Sequence, residues 1–394
     1  MFAPQNKAFA TILLFGVMIC WGAWVPLRIK SKTEAPVFVI LYVLSQWCTI
    51  LFLSLSLGMV TNVGNIFDSS TFIGALINTP GNIYHIFYIV AAGFLNANGD
   101  FLCASACAKL PASVANPIYG GLALVVGSLL NFFVEEFEGN LPALVGGVLA
   151  ALAGIFSLTL SDHYASHIST RRLSRYSVVS SRHSLPDNAS LYESLQPEEG
   201  AHSRDSHGQY TAWLLRAYDG MNKWVFVCVL AGVVCGSWSP LVVLGTEGKH
   251  HVDNPYILMI FFQSGQVVAI PFMIWYYTHF EMTTLPQDFK SRSLNGLFNC
   301  IAEITHYTSK VDIVYACITG VVVGAGFFFY FTAADVIPST ISFAISNCAP
   351  LITIAIDVCF NGHLKEASCK QTGFMALASV LFAAGVALLV IANS

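Results

Sequence analysis

The chain has 394 residues, 55% of them hydrophobic and only 10% charged, with a mean hydropathy of +0.65. Soluble domains carry about 25% charged residues, so this composition excludes an ordinary soluble domain and points to a membrane protein. The formal net charge of −4 is less informative than the placement of the charges.

A bilayer core about 30 Å thick requires roughly 20 apolar residues per helix. Ten such segments follow in order: 8–28, 36–60, 83–108, 112–134, 141–161, 224–244, 255–278, 312–334, 338–360 and 371–391. The first is expected to be retained rather than cleaved as a signal peptide, because no A-x-A-like site follows it. Its Trp-Pro ending, GAWVPL at 22–27, recurs as GSWSPL at 236–241. Segments three and four are separated by Lys109-Leu110-Pro111, and eight and nine by Val336-Ile337-Pro338. Residues 162–223 form a polar stretch rich in Ser, Arg and His, expected to be a largely disordered linker.

The basic residues sort by side. The termini and the loops after even-numbered segments carry only Lys7 and Lys249. The loops after odd-numbered segments carry the other 16 of the 18 Lys and Arg. The positive-inside rule makes that second side cytoplasmic. Both termini are then extracytoplasmic, and the central linker is cytoplasmic.

Five segments precede the linker and five follow it. An offset of 227 aligns Gly93 with Gly320, Gly99 with Gly326, Pro111 with Pro338, Leu124 with Leu351, and Gly146 with Gly373. The Trp-Pro pair aligns at 214. An odd number of crossings turns the second copy upside down, the arrangement of inverted-repeat transporters. The expected fold is therefore an all-α polytopic membrane protein of ten helices, in five-helix repeats at 1–161 and 224–394.

Three stretches carry a family resemblance: AAGFLNANGDFLCASACAKLPASVANPIYGGLALVVGSLLNFFVEE (91–136), GVVCGSWSPLVVLGTEG (232–248) and GVVVGAGFFFYFTAADVIPSTISFAISNCAPLITIAIDVCF (320–360). Together they cover about a quarter of the chain. The chain resembles the drug/metabolite transporter superfamily, and within it the ureide permease family. The resemblance implies secondary transport of a small, polar, uncharged solute, with ureides and oxo-purine or pyrimidine bases first. The plant permeases of that family carry a Walker-A-like GxxxxGK[ST] in the central loop. None lies between 162 and 223, so nucleotide-linked regulation is not implied. The departure leaves open the related sugar-transporting branch, with a hexose or nucleotide-sugar as solute.

Polar residues at membrane depth are costly and are candidate sites. Asp100 and Asn96 share a face of segment three, and Asp100 is also the candidate carrier of a coupling proton. Ser342, Ser346, Pro350, Thr353 and Asp357 form one stripe on segment nine, with Asn347 beside it. Asn116 and Tyr119 share a face of segment four, where Asn131 sits lower. Helix–helix hydrogen bonding explains an intramembrane Asn as well as solute contact does. Trp24 and Trp238 suit stacking on a planar solute, or an aromatic belt. Gln263 and Gln266 are weaker solute candidates. Gly146, Ala150 and Gly154 form a close-packing run, read as internal packing with a homodimer face as the alternative.

The linker holds RRLS, with Ser174 a candidate phosphorylation site, and a YESL sorting-type motif at 192–195. Asn188 opens a glycosylation sequon that a cytosolic location leaves unmodified. No nucleophile–base set, zinc spacing or phosphate loop is present in the sequence. His163, His167 and the His250-His251 pair read as solvated residues, and the eleven Cys as small apolar fillers. Neither enzymatic activity nor a cofactor, metal or nucleic-acid partner is expected. Two alternatives of other classes are a membrane-embedded enzyme, disfavoured because no catalytic set faces a common depth, and a receptor or scaffold acting through the linker.

Overall fold

The computed structural model describes residues 6–59, 72–77, 83–107, 110, 112–134, 140–157, 161, 223–246, 254–279, 309–360 and 369–392. Ser174, Asn188, the YESL motif, His163, His167 and His250-His251 lie outside the described residues.

All regular structure among the described residues is helical. The helices are α1 (Lys7–Lys30), α2 (Ala35–Leu57), α3 (Phe72–Ile77), α4 (Ile83–Ala106), α5 (Ala112–Val134), α6 (Leu141–Ser157), α7 (Lys223–Gly236), α8 (Trp238–Thr246), α9 (Pro255–His279), α10 (Lys310–Ala334), α11 (Ser339–Ser346), α12 (Ala349–Phe360) and α13 (Cys369–Ala392). Eight helical spans are long and apolar enough to cross a membrane, with α7 and α8 together making one of them. Two further apolar helices are shorter, Leu141–Ser157 and Ile341–Ile356. The protein is an all-α, multi-pass integral membrane protein.

Backbone hydrogen bonds must close within the chain inside a bilayer, which is why each apolar segment is helical. The ends are capped accordingly. The Asn6 side chain accepts from the Phe9 amide at 2.8 Å, and Ser309 caps α10 at Val311. Prolines at the second position of α2 and the first of α9 fall where the missing amide costs little.

Pro26 falls inside α1 and frees the carbonyl of Gly22, four residues back. The Thr353 hydroxyl donates to that carbonyl at 2.6 Å, so α1 runs on through Pro26 to Lys30. GAWVPL therefore lies within a helix rather than ending one. GSWSPL behaves differently, because the helix is interrupted at Ser237 between α7 and α8. The ninth segment is also interrupted, at 347–348, so the expected stripe spans two helices, α11 and α12. Asn347 caps the first of them.

Contacts at the helix ends give each helix a direction. The buried Arg28 donates from Nε to the Ala104 carbonyl at 3.2 Å and from NH1 to the Ser31 carbonyl at 2.7 Å. Ser31 Oγ donates to the Asp312 carbonyl at 2.9 Å, and the Lys32 amide to Asp312 Oδ1 at 3.0 Å. This elbow gathers the ends of α1 and α4 with the starts of α2 and α10. At the far end of α4, His85 Nδ1 lies 3.1 Å from the Leu244 carbonyl oxygen. The Asn140 amide donates to the Ala392 carbonyl at 2.8 Å, joining the start of α6 to the end of α13.

Helix backbones touch closely at small residues. A Cβ added to Gly93 of α4 would stand 1.8 Å from the Phe262 carbonyl oxygen of α9. One added to Gly320 of α10 would stand 2.4 Å from the Tyr42 carbonyl oxygen of α2. Gly147 and Gly154 of α6 pack against α13, an internal contact.

Candidate functional site

The helix crossings leave a partly open cavity lined by α1, α2, α4, α5, α7, α8, α10 and the α11–α12 break. Its volume is about 40 Å³. Asp100 is its chemical focus. The Tyr42 hydroxyl donates to Oδ2 at 2.9 Å, the Tyr119 hydroxyl to Oδ1 at 2.5 Å, and Asn96 Nδ2 to Oδ2 at 3.3 Å. A carboxylate offers about four acceptor sites, so three donors leave one for a solute. Cys235 joins the cluster, 3.0 Å from the Tyr119 oxygen and 3.7 Å from Asn96 Oδ1.

Helix geometry puts these groups together. Asn96 and Asp100 are one turn apart on α4, and that face is buried because α4 packs against α7, with Gly99 set against Cys235. Tyr119 approaches from α5 and Tyr42 from α2. Trp24 stands between the tyrosines, its ring centroid 6.0 Å from Tyr42 and 5.9 Å from Tyr119. Phe38 extends the stack below Tyr42, and the Arg28 guanidinium carbon lies 4.6 Å from its centroid. The aromatic column thus runs from the Arg28 elbow to the carboxylate.

The facing wall is aromatic. Trp238 packs edge-on against Trp21, Phe262, Phe327, Tyr330 and Phe343 at centroid distances of 5.3–6.5 Å. Such edge contacts suit the ring quadrupoles. The Trp21 indole nitrogen, buried at this wall, has no hydrogen-bond partner among the described residues. The cavity therefore has a polar cluster around Asp100 and an aromatic cluster around Trp238.

Of the residues singled out in the sequence, Trp24, Asn96, Asp100, Asn116, Tyr119, Trp238 and Asn347 line this one cavity. Asn116 also donates to the Thr353 hydroxyl, which in turn holds the Gly22 carbonyl. It is thus both a helix tie and a cavity residue. Asn131 donates to Ser239 at 2.9 Å, a tie between α5 and α8. Ser346 is buried but donates back to the Ser342 carbonyl of its own helix and does not line the cavity. Gln263 and Gln266 also lie outside the lining, buried on α9. Asp357 lies on α12, and its side chain is outside the described part of the structure.

The sequence reading missed Trp21, Tyr42, Cys235 and Phe327 of the lining. Tyr42 had one available signal: Gln46, one turn further along α2, repeats polarity on the same face.

No family model matches the chain, and no curated protein matches it. Function is accordingly argued from the site, since an architecture by itself does not fix chemistry. Among the described residues no group of three or more His, Cys, Asp or Glu is placed to hold a metal ion.

Proposed function

We propose that the protein is a secondary transporter of a small, polar, uncharged metabolite, working by alternating access between two inverted five-helix repeats. Ureides and oxo-purine or pyrimidine bases are the first class of solute, and the drug/metabolite transporter superfamily is the proposed affiliation. The basic elbow side is cytoplasmic in this reading, and a proton carried by Asp100 drives uptake.

The observation that carries the reading is the cavity and the pairing of the residues around it. At the offset of 214, Trp24 pairs with Trp238 and Trp21 with Cys235. At 227, Asn96 pairs with Val323, Asp100 with Phe327, and Gly120 with Asn347. Every one of these ten residues lines the cavity. A solute site between two repeats is built this way in inverted-repeat transporters. The close contacts support the same pairing, since Gly93 and Gly320 each meet a backbone carbonyl of the other half.

Charge disfavours an anionic solute, because the cavity lining holds the Asp100 carboxylate with three neutral donors and no Lys or Arg. With a coupling proton on Asp100 the lining is neutral and suits an uncharged solute. A planar solute would lay one face on the aromatic wall and turn a hydrogen-bonding edge to Asp100, Asn96 and Asn116.

Uptake into proteoliposomes tests this reading. Labelled allantoin, uracil, glucose and a nucleotide-sugar are compared with and without an inward proton gradient. Saturable, gradient-driven uptake of a ureide or base is expected. Uptake of a sugar alone would replace the solute class. No uptake of any solute by folded protein, together with signalling lost on shortening the central linker, would replace transport by the scaffold reading.

A further inference from the structure

A second polar feature lies away from the cavity lining, between α2 and α9. Gln46, Gln263 and Gln266 are each 0% exposed. Gln263 Nε2 donates to Gln46 Oε1 at 3.3 Å. Gln263 Oε1 and both amide atoms of Gln266 have no hydrogen-bond partner among the described residues, while the Gln46 amide lies against the Tyr42 hydroxyl. The Ser54 hydroxyl, two turns beyond Gln46 on the same face of α2, is also fully buried and unpartnered. One turn before Gln46 on that face stands Tyr42, whose hydroxyl donates to Asp100. A buried polar stripe thus starts at the carboxylate and runs along α2 towards its end at Leu57, away from the Arg28 elbow. Ile50 alone breaks it.

A buried polar group without a partner keeps its full desolvation cost, and the four such atoms on α2 and α9 are not explained by helix packing. Buried water typically satisfies such groups, and intramembrane polar chains commonly mark proton paths. We propose that the α2–α9 seam binds a file of water molecules that carries protons between Asp100 and the membrane face opposite the elbow.

The step is a simple proton transfer. A proton entering at that face passes along hydrogen-bonded water and Tyr42 to a carboxylate oxygen of Asp100, giving the neutral acid; release on the other face restores the anion. The titratable or charged groups around Asp100 are Tyr42 from α2, Tyr119 from α5, Cys235 from α7 and Cys103 on α4, with Arg28 of α1 further off, beyond Phe38. The proposal rests on the proton-coupled transport reading, and its test separates the two.

Full-length protein is reconstituted with an internal pH dye, and solute counterflow is read beside proton-driven accumulation. Gln46→Leu and Ser54→Val are expected to keep counterflow while slowing proton-driven accumulation by about tenfold. Gln46→Asn, which can still hold water, should restore most of it. Full accumulation in both apolar variants, with Asp100→Asn inactive in the same assay, would overturn the route and leave the transport reading standing. Counterflow without proton movement in the wild type would overturn proton coupling and the route together. A readout needing no solute is X-ray hydroxyl-radical labelling, in which bound water oxidises adjacent side chains. Ile50 and Met259, each 0% exposed, should be labelled in folded protein. Their full protection would show a dry seam and overturn the proposal even where no solute is transported.

Discussion

Replacing single helix glycines by alanine gives a graded test of the packing. At Gly93 the added methyl would stand 1.8 Å from the Phe262 carbonyl oxygen, and real Cβ atoms essentially never come within 3.0 Å of such an atom. α4 and α9 must therefore separate by at least about 1.2 Å along that line. At Gly320 the contact is 2.4 Å, and the separation needed is about half as large. Both obstacles are backbone atoms, which cannot rotate away. At Gly373 nothing lies within 4 Å. Alanine gains about 1 kcal/mol over glycine in a helix interior. Overpacking costs roughly 1–3 kcal/mol and occasionally more. Gly93→Ala should therefore lose about 1–2 kcal/mol or more, Gly320→Ala should be near neutral to about 1 kcal/mol worse, and Gly373→Ala should gain up to ~1 kcal/mol. Reversible unfolding in mixed detergent micelles measures this order. Gly93→Ala should also weaken solute binding, because α4 carries Asn96 and Asp100. Equal stability of Gly93→Ala and Gly373→Ala would refute the close α4–α9 approach.

Arg28→Gln removes a cation that holds the Ala104 and Ser31 carbonyls and covers Phe38; it should cost about 2–3 kcal/mol of stability and raise thiol labelling of Cys103 from the elbow side, both measurable in detergent. Trp24→Ala opens the stack between Tyr42 and Tyr119 and should raise the KM for solute more than Trp24→Phe does, as read by initial uptake rates. Asp100→Asn turns one acceptor into a donor facing a tyrosine hydroxyl or Asn96; gradient-driven accumulation should vanish while counterflow persists, and retained accumulation would remove the proton role. Asn188→Gln should leave the mass of the protein unchanged under glycosidase treatment, and a glycosidase-sensitive shift lost in the variant would invert the proposed orientation.

The positions of eight of the ten expected spans were legible because a bilayer makes one demand on sequence, a run of apolar residues long enough to cross it. Interruptions inside the runs were not. Pro26 and Pro240 look alike in sequence, yet α1 continues and the α7–α8 span breaks. For Pro26 the difference is visible as a tertiary partner: Thr353, over 300 residues away, takes up the freed Gly22 carbonyl. Arg28 illustrates the same limit. It reads as a loop cation but is 3% exposed, because two carbonyls and an aromatic face replace its water. Asn96, Asp100, Asn116 and Asn347 meet at one cavity because intramembrane polarity is rare enough to mark itself, and Trp24 and Trp238 were marked by their repetition. Tyr42 and Phe327 were hidden because an aromatic residue in an apolar helix looks the same whether it faces lipid, protein or solute.

On the inverted-repeat reading, the two copies have kept their packing and diverged in chemistry. Gly93 and Gly320 persist as a pair where each meets a backbone carbonyl of the other half, since the geometry admits no side chain there. Around the cavity the pairs are dissimilar: Asp100 with Phe327, Asn96 with Val323, Trp21 with Cys235. A site with identical halves would offer a solute two equivalent orientations and no net polarity. The unequal pairs instead gather hydrogen-bonding groups around Asp100 and aromatic surface around Trp238, fixing a single orientation. Alternating access needs the copies to match only in how their helices pack, so selection on solute recognition is free to make the cavity walls differ.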